Sequence, residues 1–270
     1  GLSQEQIDSV IALYSSGQYQ EVIDQILLLD ETYPNVPFLF NLIGACYKQL
    51  RQLELSVKMF EKAVAIKPDY AEAYKNLGVT LKDLGQLDAS IKSLKDAIAI
   101  APNYYDAHYN LAITFKDAND LDSAIKSYEK TLILNPNFAQ AHNNLGNIYR
   151  ELDQPEKAIE RYHNAIVINP NFAQAHNNLG NAFKDLEQFN DAIKSYEKAI
   201  ELNPNFAEAH NNLGNVFKDI ERFDDAVISY EKAIELNPNF AEPHYNLGVT
   251  LKRLKELDYA VISFERAIAL

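Results

Sequence analysis

Five of the six histidines in this chain, His108, His142, His176, His210 and His244, stand 34 residues apart. Imidazole is the commonest metal ligand and a frequent general base, so the ladder first raises metal or acid–base chemistry. A second column with the same spacing is made of amides: Asn76, Asn110, Asn144, Asn178, Asn212 and Asn246. Around three of these lie Asn143, Asn177 and Asn211, one residue earlier, and Asn147, Asn181 and Asn215, three residues later. A carboxamide both donates and accepts, so such a column can pair with the backbone of an extended peptide, or with neighbouring amides of its own kind. A third column is basic: Lys48, Lys82, Lys116, Arg150, Lys184, Lys218 and Lys252. In five cases an acid follows at once, as Asp83, Asp117, Glu151, Asp185 or Asp219. Lys82, Lys116, Arg150, Lys184 and Lys218 are candidates for holding acidic ligand groups, unless the two columns neutralise each other.

The elements that position these columns follow from the prolines. Pro34, Pro68, Pro102, Pro136, Pro170, Pro204 and Pro238 are each 34 residues apart, and Asn or Asp follows every one. Residues 173–206 and 207–240 are identical at 27 of 34 positions without a gap. With the proline as position 32, the repeats are 3–36, 37–70, 71–104, 105–138, 139–172, 173–206, 207–240 and 241–270, the last stopping at position 30. Each reads as two helices. Helix A covers roughly positions 1–14, with Ala173, His176, Leu179, Gly180 and Phe183 on one face of a 3.6-residue period. Asn171 with Gln174, Asn205 with Glu208 and Asp69 with Glu72 read as capping boxes. Helix B covers roughly positions 18–30, with Asn190 as N-cap, Ala192, Ile193, Tyr196, Ala199 and Ile200 buried, and an Asn-Pro pair as its stop. Glycine recurs mid-helix at position 8, where it costs about 1 kcal/mol against alanine. That cost implies that the bulky position 24 of helix B, Tyr196 in 173–206, needs the space.

His176, Leu179, Gly180, Phe183, Ala192, Tyr196, Ala199 and Pro204 occupy the signature places of the tetratricopeptide repeat (TPR), and the pattern resembles that family along the whole chain. Two departures stand out: position 4 is histidine, phenylalanine or tyrosine instead of tryptophan, and the first repeat has Gln6 and Val10 at the aromatic and glycine places. The resemblance implies an all-α, right-handed solenoid of eight helix-turn-helix units forming a single array over 1–270, its A helices lining a concave groove. The position-6 asparagines resemble the ladder by which the TPR superhelix of protein O-linked N-acetylglucosamine transferases grips a peptide backbone. That implication fails at the N-terminal end, where Asp8 and Leu42 take the place.

The remaining composition narrows the function. The charge is 25 − 38 = −13, which disfavours nucleic acid and anionic membrane surfaces. No apolar run is long enough for a membrane span, and no signal segment opens the chain. With one cysteine, Cys46, no intrachain disulfide forms, and the expectation is a cytoplasmic protein. Successive histidines on helices about 8–10 Å apart cannot share a metal ion with bonds of about 2 Å, so packing is the better account of that ladder. No phosphate loop, nucleophile elbow or zinc motif is present, and neither enzyme activity nor a cofactor is expected of these residues. Positions 2, 5, 6, 9, 12 and 13 share one helical face, the face left when the core stripe is buried. The expectation is a scaffold binding a protein or extended peptide there. The array also looks like those that precede glycosyltransferase or sulfotransferase domains, so an enzyme's substrate-recruiting arm is the alternative. A self-assembling scaffold is the third. Ile228 and Ile262 replace the usual lysine at position 22, and with Tyr259 and Phe264 they form an apolar surface suited to end-to-end self-association.

Overall fold

The computed structural model describes residues 2–270. Among them every regular element is an α-helix, two to each 34-residue repeat. The chain divides into two compact units meeting at Pro136 and Asn137. The first contains α1 (Gln4–Ser15), α2 (Tyr19–Thr32), α3 (Pro37–Gln49), α4 (Leu53–Ile66), α5 (Ala71–Asp83), α6 (Leu87–Ile100), α7 (Tyr105–Asp117) and α8 (Leu121–Leu134). The second contains α9 (Ala139–Glu151), α10 (Pro155–Ile168), α11 (Ala173–Asp185), α12 (Phe189–Leu202), α13 (Ala207–Asp219), α14 (Phe223–Leu236), α15 (Ala241–Arg253) and α16 (Leu257–Ala269). Inside each unit a B helix packs on its own A helix and on the next one, and successive A helices from α3 to α7 and from α9 to α15 also touch.

Position 15 makes the turn from A to B. Glu187 and Glu221 sit there in the left-handed region, with φ 56° and 60°. After α11 the Gln188 N–H bonds the Phe183 carbonyl and the Glu187 N–H bonds that of Lys184, a Schellman closure that satisfies the last carbonyls. B helices end as expected, with Asn203 in extended backbone before Pro204. The capping boxes do not form. Phe172, Phe206 and Tyr70 occupy the N-cap places of α11, α13 and α5 with no side-chain cap bond, and Gln188, not Asn190, precedes α12. The asparagine before the proline turns the chain instead: Asn203 Oδ1 accepts the Asn205 N–H at 3.2 Å. Glu72 and Glu208 reach back to the preceding repeat.

The core bears out the glycine argument. A Cβ on Gly180 would lie 2.6 Å from Tyr196 Cε1, and one on Gly146 equally close to Tyr162. Tyr162, Tyr196 and Tyr230 are fully buried, as are Ala192 and Ala199 beside them. His176 and Phe183, expected in the buried stripe of helix A, are only half-buried; Asn177, Asn178 and Ala182 are more deeply covered.

Candidate functional site

That reversal comes from the arrangement of A helices. In the second unit α11 has α9 on one side and α13 on the other, so the flank carrying positions 5 and 6 is a seam rather than an open face. Asn143, Asn177 and Asn211, expected on the open face, are buried there, Asn177 completely. Each accepts a bond from the position-6 amide of the next repeat: Asn178 Nδ2 to Asn143 Oδ1 at 3.0 Å, Asn212 to Asn177 at 3.1 Å, and Asn246 to Asn211 at 3.4 Å. The position-5 amides donate onward to position 2, Asn177 to Glu208 at 3.3 Å and Asn211 to Glu242 at 2.9 Å. In the first unit Asn76 bonds Asn41 in the same way, at 3.0 Å. Asn110 faces Lys75 in place of an asparagine and turns back to the Asp106 carbonyl at 2.7 Å, while Lys75 pairs with the Asp106 carboxylate at 3.2 Å. Asn144 Oδ1 receives Asn143 Nδ2 at 3.5 Å. The amide ladder is thus a clamp between repeats.

Position 9 stays on the open face. Asn147, Asn181 and Asn215 are half-buried, and each accepts the buried phenol of its own repeat: Tyr162, Tyr196 and Tyr230 donate at 2.7, 2.7 and 2.8 Å. Burial holds all three phenols well above the ordinary tyrosine pKa. Helical periodicity alone does not give these tyrosine–asparagine bonds; their signal in the sequence is the joint appearance of Tyr at position 24 and Asn at position 9 in three successive repeats. The Asn215 amide also donates to Glu242 at 3.4 Å, whereas the Asn181 amide N–H groups have no partner among the described residues. Asn147, Arg150, Glu151, Asn178, Asn181, Asp185 and Glu208 line an open polar cleft of about 460 Å³.

The basic and acidic columns neutralise each other between repeats. Lys48 meets Asp83 at 3.1 Å and Lys82 meets Asp117 at 4.0 Å; in the second unit Arg150 meets Asp185 at 2.5 Å and Lys184 meets Asp219 at 3.6 Å. Asp83 feels burial, which raises its pKa, but the ammonium groups of Lys48 and Lys82 outweigh it and bring the carboxyl below its ordinary value. Lys116 is half-buried on α7. Of the five cations expected to take ligand anions, Lys82, Arg150 and Lys184 are therefore engaged, and Lys218 has no acidic partner among the described residues.

The histidines have a structural bond as well as a packing role. Nε2 of His108, His176, His210 and His244 lies 3.0–3.3 Å from the carbonyl of Pro102, Pro170, Pro204 and Pro238, respectively. A carbonyl only accepts, so Nε2 carries the proton, and the ring ties helix A to the loop before it. No group of three or more His, Cys, Asp or Glu among the described residues could hold a metal ion. No helix among them is long and apolar enough to cross a membrane.

Sequence models of the family decide what the repeats are. The model described as TPR repeat matches residues 80–117, 114–152, 146–187, 180–221 and 214–255. Two models described as tetratricopeptide repeat match 59–92, and 39–70 with 241–270. The chain belongs to the tetratricopeptide repeat family. No curated protein sequence matches it significantly. Among solved structures, the TPR chain is similar to MamA, at 30% identity over 59% of this chain and 93% of that one, with a TM-score of 0.55. It is also similar to YrrB, described as a TPR protein with an unusual peptide-binding site, at 21% identity over 69% and 96% of the two chains and a TM-score of 0.58. The C-terminal part of a TPR protein from Cytophaga hutchinsonii aligns at 18% identity over 89% and 98%, with a TM-score of 0.70.

The apolar residues of the last two TPR units divide between two places. Ile228, Tyr259 and Ile262 are 65%, 64% and 60% exposed, and with Leu247, Leu251 and Leu254 they line a cleft of about 470 Å³ between α14 and α16. Phe264 is not part of that surface. It is half-buried against Gly248, packs beside Tyr245 at 5.7 Å between ring centres, and borders a separate apolar recess with Ala241, Ala267 and Ile268.

Proposed function

We propose that this TPR chain is a protein-interaction module that binds an extended peptide along the open face of its A helices. The observation that carries the proposal is the polar cleft of the second unit, where the Asn181 amide N–H groups stand beside Arg150 and Glu208 on a frame already locked by interhelix bonds. Preorganised donors lower the ordering cost of binding. The likeness to YrrB, a TPR protein with a described peptide-binding site, supports the same role. The recognising groups are then the free valences of position 9, backed by the position-6 ladder, which contributes stiffness.

The test uses a peptide selected from a random library against the intact protein. Asn181→Asp retains an oxygen acceptor for the Tyr196 hydroxyl and deletes the amide donor. Affinity for the selected peptide should fall at least tenfold with the thermal midpoint little changed. Unchanged affinity removes the cleft from the site.

A second reading rests on the exposed Ile228, Tyr259 and Ile262: the last two repeats bind another copy of the chain. Burial of apolar surface contributes about 25 cal/mol per Å², and sedimentation velocity over a hundredfold concentration range distinguishes monomer from assembly.

A further inference from the structure

The pairing of position 12 with position 13 of the following repeat breaks at Lys218. In the second unit Arg150 and Lys184 each reach an aspartate on the next A helix. The next A helix after α13 is α15, and its position 13 is Arg253, not an acid. Lys218 therefore faces the place of a guanidinium where its counterparts find a carboxylate. Lys252 precedes Arg253 on the same helix end, and Lys255 follows in the turn. Lys218 is half-buried; Lys252 and Arg253 are exposed. None of the three has an acidic partner among the described residues. The acids at hand do not neutralise them: Asp219 is held by Lys184 at 3.6 Å, and Glu256 lies beyond the turn at the start of α16. The helix dipole favours a cation in a last turn, but it does not account for this exchange, because α9, α11 and α13 all carry an acid at the same position.

We infer that Lys218, Lys252 and Arg253 form an anion-binding site at the α13–α15 end of the A-helix face, taking an acidic side chain of a bound peptide. The inference rests on the groove reading above and deepens it by naming the ligand's charge and its place. Adjacent A helices are about 10 Å apart and an extended chain advances about 3.3 Å per residue. An anion here thus lies about six residues along from the segment held in the Asn181 cleft, two helices away. Local attraction prevails over the chain's net negative charge because fields are screened beyond about 8 Å at physiological ionic strength.

The probe is fluorescein-labelled hexaglutamate, with binding followed by fluorescence anisotropy at 0.05 M and 0.15 M salt. Arg253→Asp restores the pairing partner seen in the other repeats, so Lys218 gains a carboxylate and the site closes. Binding should weaken at least tenfold in this variant and lose most of its salt dependence. Lys194→Asp, on the exposed face of α12, makes the same charge change elsewhere and should leave binding within twofold. Equal losses in the two variants would mean general repulsion and overturn the proposal, as would absence of hexaglutamate binding to the parent. The groove reading is judged separately, by the library peptide and Asn181→Asp: hexaglutamate binding that depends on Arg253, with a library peptide indifferent to Asn181, keeps the anion site and removes the cleft.

Discussion

Replacing Asn178 by alanine sets two physical effects against each other with opposite signs. Alanine is the better helix former by up to about 0.7 kcal/mol, so if the ladder were idle the protein would become more stable. In the structure Asn178 is 7% exposed and makes three side-chain bonds: Nδ2 to Asn143 Oδ1 at 3.0 Å, Nδ2 to Asn147 Oδ1 at 3.1 Å, and Oδ1 from Gln174 Nε2 at 3.1 Å. Asn147 keeps its bond from Tyr162, and the half-buried Gln174 can turn to water. Asn143 is 4% exposed, so its oxygen is the group left stranded. An unsatisfied buried acceptor costs about 1–3 kcal/mol, and each lost bond about 1 kcal/mol. After the gain in helix propensity the expected change is a loss of about 1–3 kcal/mol. Urea unfolding followed by circular dichroism measures it, provided the slope matches the parent's, because repeat arrays can unfold in parts. A variant as stable as the parent, or more so, would refute the clamp.

Three further outcomes follow from the same geometry. Glu187→Gly and Glu221→Gly relieve left-handed backbone and should each stabilise the protein by about 0.5–1 kcal/mol in the same assay, whereas Glu187→Val should destabilise it. Gly180→Ala puts a methyl 2.6 Å from the Tyr196 ring; overpacking costs about 1–3 kcal/mol and outweighs the helix gain of about 1 kcal/mol, so thermal melting should show a net loss. Burial raises the phenol pKa values of Tyr162, Tyr196 and Tyr230, so their contribution to stability is complete below the ordinary value of about 10 and is lost as pH rises from there toward the raised folded values. Absorbance titration should show these phenols ionising together with unfolding, and early ionisation of all tyrosines in a folded chain would contradict it.

Helix pairing and the glycine–tyrosine contact were legible because each rests on periodicity or on one steric pair repeated many times. The fate of the asparagines was half legible. Helical geometry put positions 5 and 6 on the flank left by the core, but it cannot say that A-helix neighbours on both sides cover that flank. Asn177 therefore reads as groove and folds as seam. Turn position 15 was obscured because glycine marks it only at Gly17 and Gly85, while Glu187, Glu221 and Lys255 adopt the same φ. The break at Arg253 was present in the sequence, yet its meaning depends on the pairing across helices that distances such as the 3.6 Å between Lys184 and Asp219 reveal.

The claim that the open A-helix face binds peptide is tested most directly by photo-crosslinking. A library-selected peptide carrying a benzophenone is bound to the intact protein and irradiated, and the attachment sites are read by mass spectrometry. Attachment at or beside Asn147, Asn181 and Asn215, on α9, α11 and α13, is the predicted result. Attachment confined to outward residues of α10, α12 and α14, such as Lys194 or Ile228, would contradict the account.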